Sequence, residues 1–107
     1  MPKITKRERL TAMYEAILSL SSAEDCQHFF EDLCSPAELS AMEQRFAVAD
    51  LLMQDKVYTE ILSRTNASTS TISRVKRVLT DGTGALQQAL EQRQAAQQNN
   101  TEETHEN

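Results

Sequence analysis

The residues best placed to do chemistry lie between Val57 and Leu79, VYTEILSRTNASTSTISRVKRVL. The spacing predicts two short helices joined by a polar turn at Thr65 to Ser68. In the second helix Ile72, Val75 and Leu79 follow an i, i+3, i+7 pattern that puts all three on one buried stripe. Ser70, Ser73, Arg74 and Arg77 then point the other way, and no acidic residue occurs from Ala67 to Thr80. A solvated helix face more often mixes Glu with Lys. Hydroxyls and guanidinium groups without carboxylates instead suit a helix that enters a nucleic-acid groove, as in a helix-turn-helix. Ser68 or Thr69 can cap this helix and leave its first amides available to phosphate.

Charge is distributed to match. The chain has a formal net charge of -5, yet Lys56 to Leu79 holds Lys56, Arg64, Arg74, Lys76 and Arg77 against Glu60 alone. Phosphate neutralisation is local, so an acidic protein can bind DNA through a clustered cationic face. Lys3, Lys6, Arg7 and Arg9 form a second basic cluster, read either as a reach to a neighbouring phosphate or as a solubilising terminus.

Other chemistries lack their residues. Cys26 and Cys34 have no CxxC spacing, and Cys26 shares a helix face with Phe29, Phe30 and Leu33, so both read as reduced packing cysteines. His28 and His105 stand alone, which argues against a metal site. No glycine-rich phosphate loop or nucleophile elbow appears, and no enzyme activity or cofactor is expected. No apolar run approaches the roughly 20 residues that cross a bilayer, and no signal-peptide core follows the basic start. A cytoplasmic, membrane-free binding module is the expectation.

These residues must be positioned by helices. In 107 residues there are two glycines and two prolines, strand-like alternation is absent, and Ala, Leu, Glu and Gln dominate, so the fold class is all-α. Leu10, Met13, Tyr14, Ile17 and Leu18 predict a first helix from Lys6 to Leu20. Ser22 with Asp25 starts a second, and Ser35, Pro36 and Glu38 start a third with a capping box. The third runs through Leu39, Met42, Phe46, Ala49, Leu52 and Met53 to Asp55 and Lys56. Asp55 and Asn66 are the non-glycine residues suited to left-handed helix ends. Asp81 to Gly84 then reverse the chain into a sixth helix from Ala85 to Ala96, with Leu86 and Leu90 inward. The domain plan is a flexible basic N-terminus at 1-5, a folded domain at 6-96, and a disordered polar tail at 97-107.

The order SPAELSAMEQRFAVADLLMQDK, YTEILSRTNASTSTISRVKRVL, DGTGALQQAL resembles the Trp-repressor superfamily, most closely its YerC/YecD-type branch. The likeness covers Leu10 to Leu90, and Ala67 to Val75 is its specific part. It implies six helices in a Trp-repressor-like fold, an intertwined homodimer, and two heads reading palindromic half-sites about 34 Å apart. It also implies that Thr69, Ser70 and Ser73 approach base edges while Thr59, Glu60 and Ser63 lie near the DNA backbone. Glu60 departs from a basic or neutral contact.

The same resemblance puts Arg45 and Arg74 where the classical repressor holds tryptophan. Val75 and Val78, however, stand where that pocket has a glycine and a serine, so the isopropyl groups are expected to fill the indole's volume and the hydroxyl partner is missing. Arg45 and Arg74 are then expected to pair with carboxylates, or Arg74 with phosphate. The resulting expectation is a transcriptional regulator, a repressor, that binds double-stranded DNA through Thr59, Ser63, Ser68, Thr69, Ser70, Ser73, Arg74, Lys76 and Arg77. The alternative is a helical protein-interaction adaptor on the same fold that does not bind DNA.

Overall fold

The computed structural model describes residues 2-105, which form six helices and no strand. They divide into two compact units between Leu39 and Ser40.

The first unit holds α1 (Lys6–Leu18) and α2 (Ala23–Leu33). Helix α1 opens on a capping box in which the Thr5 hydroxyl accepts from the Glu8 amide at 3.1 Å and the Glu8 carboxylate accepts from the Thr5 amide at 2.9 Å. It ends at Leu18, two residues before the expected Leu20. At α2 the Ser22 hydroxyl accepts from the Asp25 amide, whereas the Asp25 carboxylate takes the Ser21 hydroxyl. The apolar stripes form as the periodicity predicts, but no residue of α1 or α2 is buried. Leu10, Tyr14, Leu18 and Leu33 are exposed, Leu18 at 84%. Cys26 and Cys34 are free and half-buried, and the rings of Phe29 and Phe30 meet edge to face.

Helix α3 (Pro36–Met53) crosses the boundary, and from Ser40 onward it supplies the scaffold of the second unit. Its capping box closes in both directions: Glu38 N–H donates to the Ser35 hydroxyl and Ser35 N–H to the Glu38 carboxylate. These hydrogen bonds from the Ser35 amide, and secondarily from its hydroxyl, stabilise the charged form and lower the Glu38 pKa below its ordinary value.

The core of this unit gathers Val48, Ala49 and Leu51 of α3, Ile61 of α4 (Tyr58–Thr65), Ala67 of the turn that follows it, Ile72 and Val75 of α5 (Thr69–Asp81), and Leu90 of α6 (Ala85–His105). Leu52, Met53, Leu79 and Leu86 pack around it. The face of α3 thus differs from expectation, since Val48 and Leu51 are buried while Met42 and Phe46 remain 39% and 40% exposed. The run FAVADLLM is apolar on more than one side, so periodicity does not single out one face.

Asp55 (φ 58°) and Asn66 (φ 55°) both adopt the left-handed conformation, as their positions at the helix ends require. Helix α6 continues nine residues past the expected end at Ala96, to His105. The added turns contain neither Gly nor Pro, so no strong breaker interrupts the helix. Its middle is tied to α3, where Asp50 accepts from Arg93 at 3.3 Å and from Gln94 at 3.2 Å. At the other terminus, residues 2-4 precede the Thr5 cap without regular structure. Met1, Glu106 and Asn107, part of the expected terminal segments, lie outside the described residues.

Candidate nucleic-acid interface

Three local choices set the angle at which α5 leaves α4. The left-handed Asn66 ends α4, and its amide donates to the Leu62 carbonyl at 2.9 Å. Ala67 turns inward and is 2% exposed, a packing role its small size permits. Ser68 then caps α5 by accepting from the Thr71 amide at 3.1 Å. From outside the motif, Gln44 Nε2 of α3 donates to the Thr65 carbonyl at 3.0 Å. A carbonyl in the last turn of α4 has no intrahelical partner, and Gln44 supplies a partner from another helix.

The buried stripe of α5 matches its spacing, with Ile72 and Val75 each 4% exposed and Leu79 half-buried against the core. Since successive residues turn by about 100°, Ser70, Ser73 and Arg77 project opposite that stripe. Thr69 and Lys76 lie along the flank nearer its Ile72 edge, and Arg74 along the other. All six are exposed. The side chains of Ser73, Arg74, Lys76 and Arg77 have no hydrogen-bond or ion-pair partner among the described residues.

The remaining predicted residues divide by how far their polar groups are already engaged. Thr59 on α4 is exposed and free. Ser63 is exposed, but its hydroxyl donates back to the Glu60 carbonyl at 3.1 Å. Ser68 is committed to the cap and also meets the hydroxyls of Thr71 at 2.9 Å and Ser70 at 3.3 Å. Glu60 pairs with Arg64 at 3.8 Å on the surface, which leaves α4 nearly neutral beside the cationic α5.

Two contributors escaped the sequence reading. Gln44 is one. The other is Tyr58, the first residue of α4, whose Oη lies 2.7 Å from Oγ1 of Thr69, the first residue of α5. Only the general tendency of a tyrosine tip to seek a polar partner hints at it in sequence.

Arg45 and Arg74 do come together, although not as expected. Neither pairs with a carboxylate; among the described residues the ion pairs are Arg64 with Glu60 and Arg93 with Asp50. Both instead line an open cavity of about 380 Å³ with Met42, Phe46, Val75, Val78 and Leu86. The two valines therefore do not fill this space, which corrects the steric expectation. The lining offers one hydrogen-bond-accepting side-chain atom, the weakly accepting thioether sulfur of Met42. Elsewhere among the described residues no group of three metal-ligating side chains forms, and no helix is long and apolar enough to cross a membrane.

Comparison with known proteins gives one consistent answer. The chain is 43% identical over 84 residues to the uncharacterized protein YerC of Bacillus subtilis, spanning 78% of this chain and 81% of that protein. A Staphylococcus aureus structure provisionally assigned as a Trp repressor superposes with a TM-score of 0.77 at 40% identity, covering 80% of this chain and 86% of that one. A TrpR-like protein from Eubacterium eligens does so with a TM-score of 0.77 at 38% identity, covering 81% and 90%. The sequence profile of the Trp repressor protein family, whose members are DNA-binding regulators and not enzymes, matches residues 8-94. Six helices without a strand, arranged as in these neighbours, and a profile match over most of the sequence establish that this chain belongs to the Trp repressor protein family.

Proposed function

We propose that the protein is a sequence-specific DNA-binding transcriptional regulator of the cytoplasm, acting as a repressor by docking α5 in the major groove of a palindromic operator. One observation carries this reading: the outer face of α5 presents Ser70, Ser73 and Arg77, flanked by Arg74 and Lys76, with no carboxylate among the described residues answering any of the three cations. Exposed cations without protein partners are suited to phosphate, and short hydroxyls beside them to base edges. Thr59 supplies a further hydroxyl from α4, and Ser63 and Ser68 contribute at the margin.

The active form is a homodimer. Its support is the exposed apolar surface of α1 and α2, where Leu10, Tyr14, Leu18 and Leu33 lie open to solvent in the single chain. Apolar side chains in that number ask for cover that a second copy supplies.

The test is selection of bound sequences from random duplexes by the full chain, with the oligomeric state measured under the same conditions. An enriched palindrome bound by two chains is expected. No enriched sequence and no retarded species at low salt would favour the helical adaptor instead.

A further inference from the structure

The contact between Tyr58 and Thr69 is a side-chain bond between the two helices of the reading motif, at the end of α5 from which helix-turn-helix proteins reach base edges. Thr69 is unusual among the nearby hydroxyls. Ser68, Ser70 and Thr71 bond among themselves, and Thr65 and Thr80 donate to the carbonyl one turn back. As the first residue of α5, Thr69 has no carbonyl of its own helix one turn behind it. Its hydroxyl partner among the described residues is Tyr58.

Two hydroxyls 2.7 Å apart use one proton between them and leave one to point outward. A phenol is more acidic than an aliphatic alcohol, and its oxygen lone pair is delocalised into the ring. It is therefore the better donor and the poorer acceptor. Tyr58 donating to Thr69 is the preferred polarity, and it occupies a lone pair of Oγ1 while leaving the threonine proton free. Donation to Oγ1 also strengthens Thr69 as a donor, because linked hydroxyls polarise one another.

We propose that Tyr58 is a specificity-determining positioning residue that makes Thr69 a hydrogen-bond donor toward DNA. Thr69 then favours an acceptor edge, guanine O6 and N7, adenine N7 or thymine O4, over the exocyclic amino group of cytosine, which could bond only to its remaining lone pair. An unpolarised threonine would accept either. This inference rests on the reading of α5 as a DNA-recognition helix.

The experiment compares operator preference for the full-length wild type, Tyr58→Phe, Thr69→Ser, Thr69→Ala and the double variant Tyr58→Phe/Thr69→Ala, using duplexes selected by the wild type and then substituted pair by pair. Wild type should prefer guanine or thymine over cytosine at one position per half-site. Tyr58→Phe should reduce that preference by roughly three- to tenfold, with the other positions and random-duplex affinity unchanged. Thr69→Ser should keep both the preference and its dependence on Tyr58. Thr69→Ala should abolish it and make Tyr58→Phe silent. Three results would overturn the proposal: an unchanged preference in Tyr58→Phe, a uniform loss on every duplex, which marks a phosphate contact by Tyr58 itself, or a Thr69→Ala variant with wild-type preference. Failure of the wild type to enrich any sequence would remove the DNA-binding reading and the inference with it, and is recognised from the wild type alone.

Discussion

Gln44 and Thr65 are joined across 21 residues by a 3.0 Å hydrogen bond from the Gln44 amide to the Thr65 carbonyl, which ties the long scaffold helix to the last turn before the recognition helix. Both residues are half-buried, so removing the donor leaves a carbonyl with restricted access to water. Gln44→Ala should cost about 1 kcal/mol in urea denaturation, and should speed hydrogen exchange at the amides of Asn66 and Ala67. Wild-type stability with unchanged exchange would show that the bond does not restrain the turn.

Acid should loosen α3 before it reaches the core. The hydrogen bonds from Ser35 hold the Glu38 pKa below 4.5, so the charged carboxylate favours the folded state. That contribution is complete above pH 4.5 and is lost as pH falls through the lower, folded value. The melting temperature of wild type should fall more steeply with acidification through this window than that of Glu38→Gln, whose amide cannot titrate. Parallel profiles would contradict the assignment.

Ser73 is exposed, uncommitted and opposite the buried stripe, so it is free to read bases without being needed for folding. Ser73→Ala should melt within about 0.5 kcal/mol of wild type, as surface substitutions generally do, yet select a different sequence from random duplexes. Recovery of the same motif would exclude Ser73 from readout.

The cavity beside Arg45 and Arg74 has room for a ligand, but an indole entering it would find only the weakly accepting Met42 thioether among the lining side chains for its N–H. Saturating L-tryptophan should therefore change operator affinity by less than about twofold. A tenfold gain, equivalent to about 1.4 kcal/mol of coupling, would show that the lining suffices for the classical effector.

Much of the fold was legible because its signals are local. Ile72 and Val75 repeat at helical spacing, Ser35 and Glu38 bond across a single turn, and Asn66 tolerates the left-handed conformation its position demands. The contacts that orient the site were not, because Gln44 with Thr65 and Tyr58 with Thr69 join different helices and obey no sequence period. The buried face of α3 was ambiguous for a different reason. Phe46, Val48, Ala49, Leu51 and Leu52 offer several apolar faces, and only packing selected Val48, Ala49 and Leu51. In α6 the polar composition that suggested a tail at 97-107 holds no glycine or proline to break a helix, and the helix persists to His105.

Salt-dependent DNA binding by Arg77→Ala tests the central claim most directly, that the outer face of α5 meets DNA. Arg77 is exposed, without a carboxylate partner and opposite the core stripe, so its loss should leave the fold intact. Affinity should fall on operator and random duplex alike, and the slope of log affinity against log salt should shrink by roughly one unit. Wild-type affinity and slope in Arg77→Ala would contradict the account.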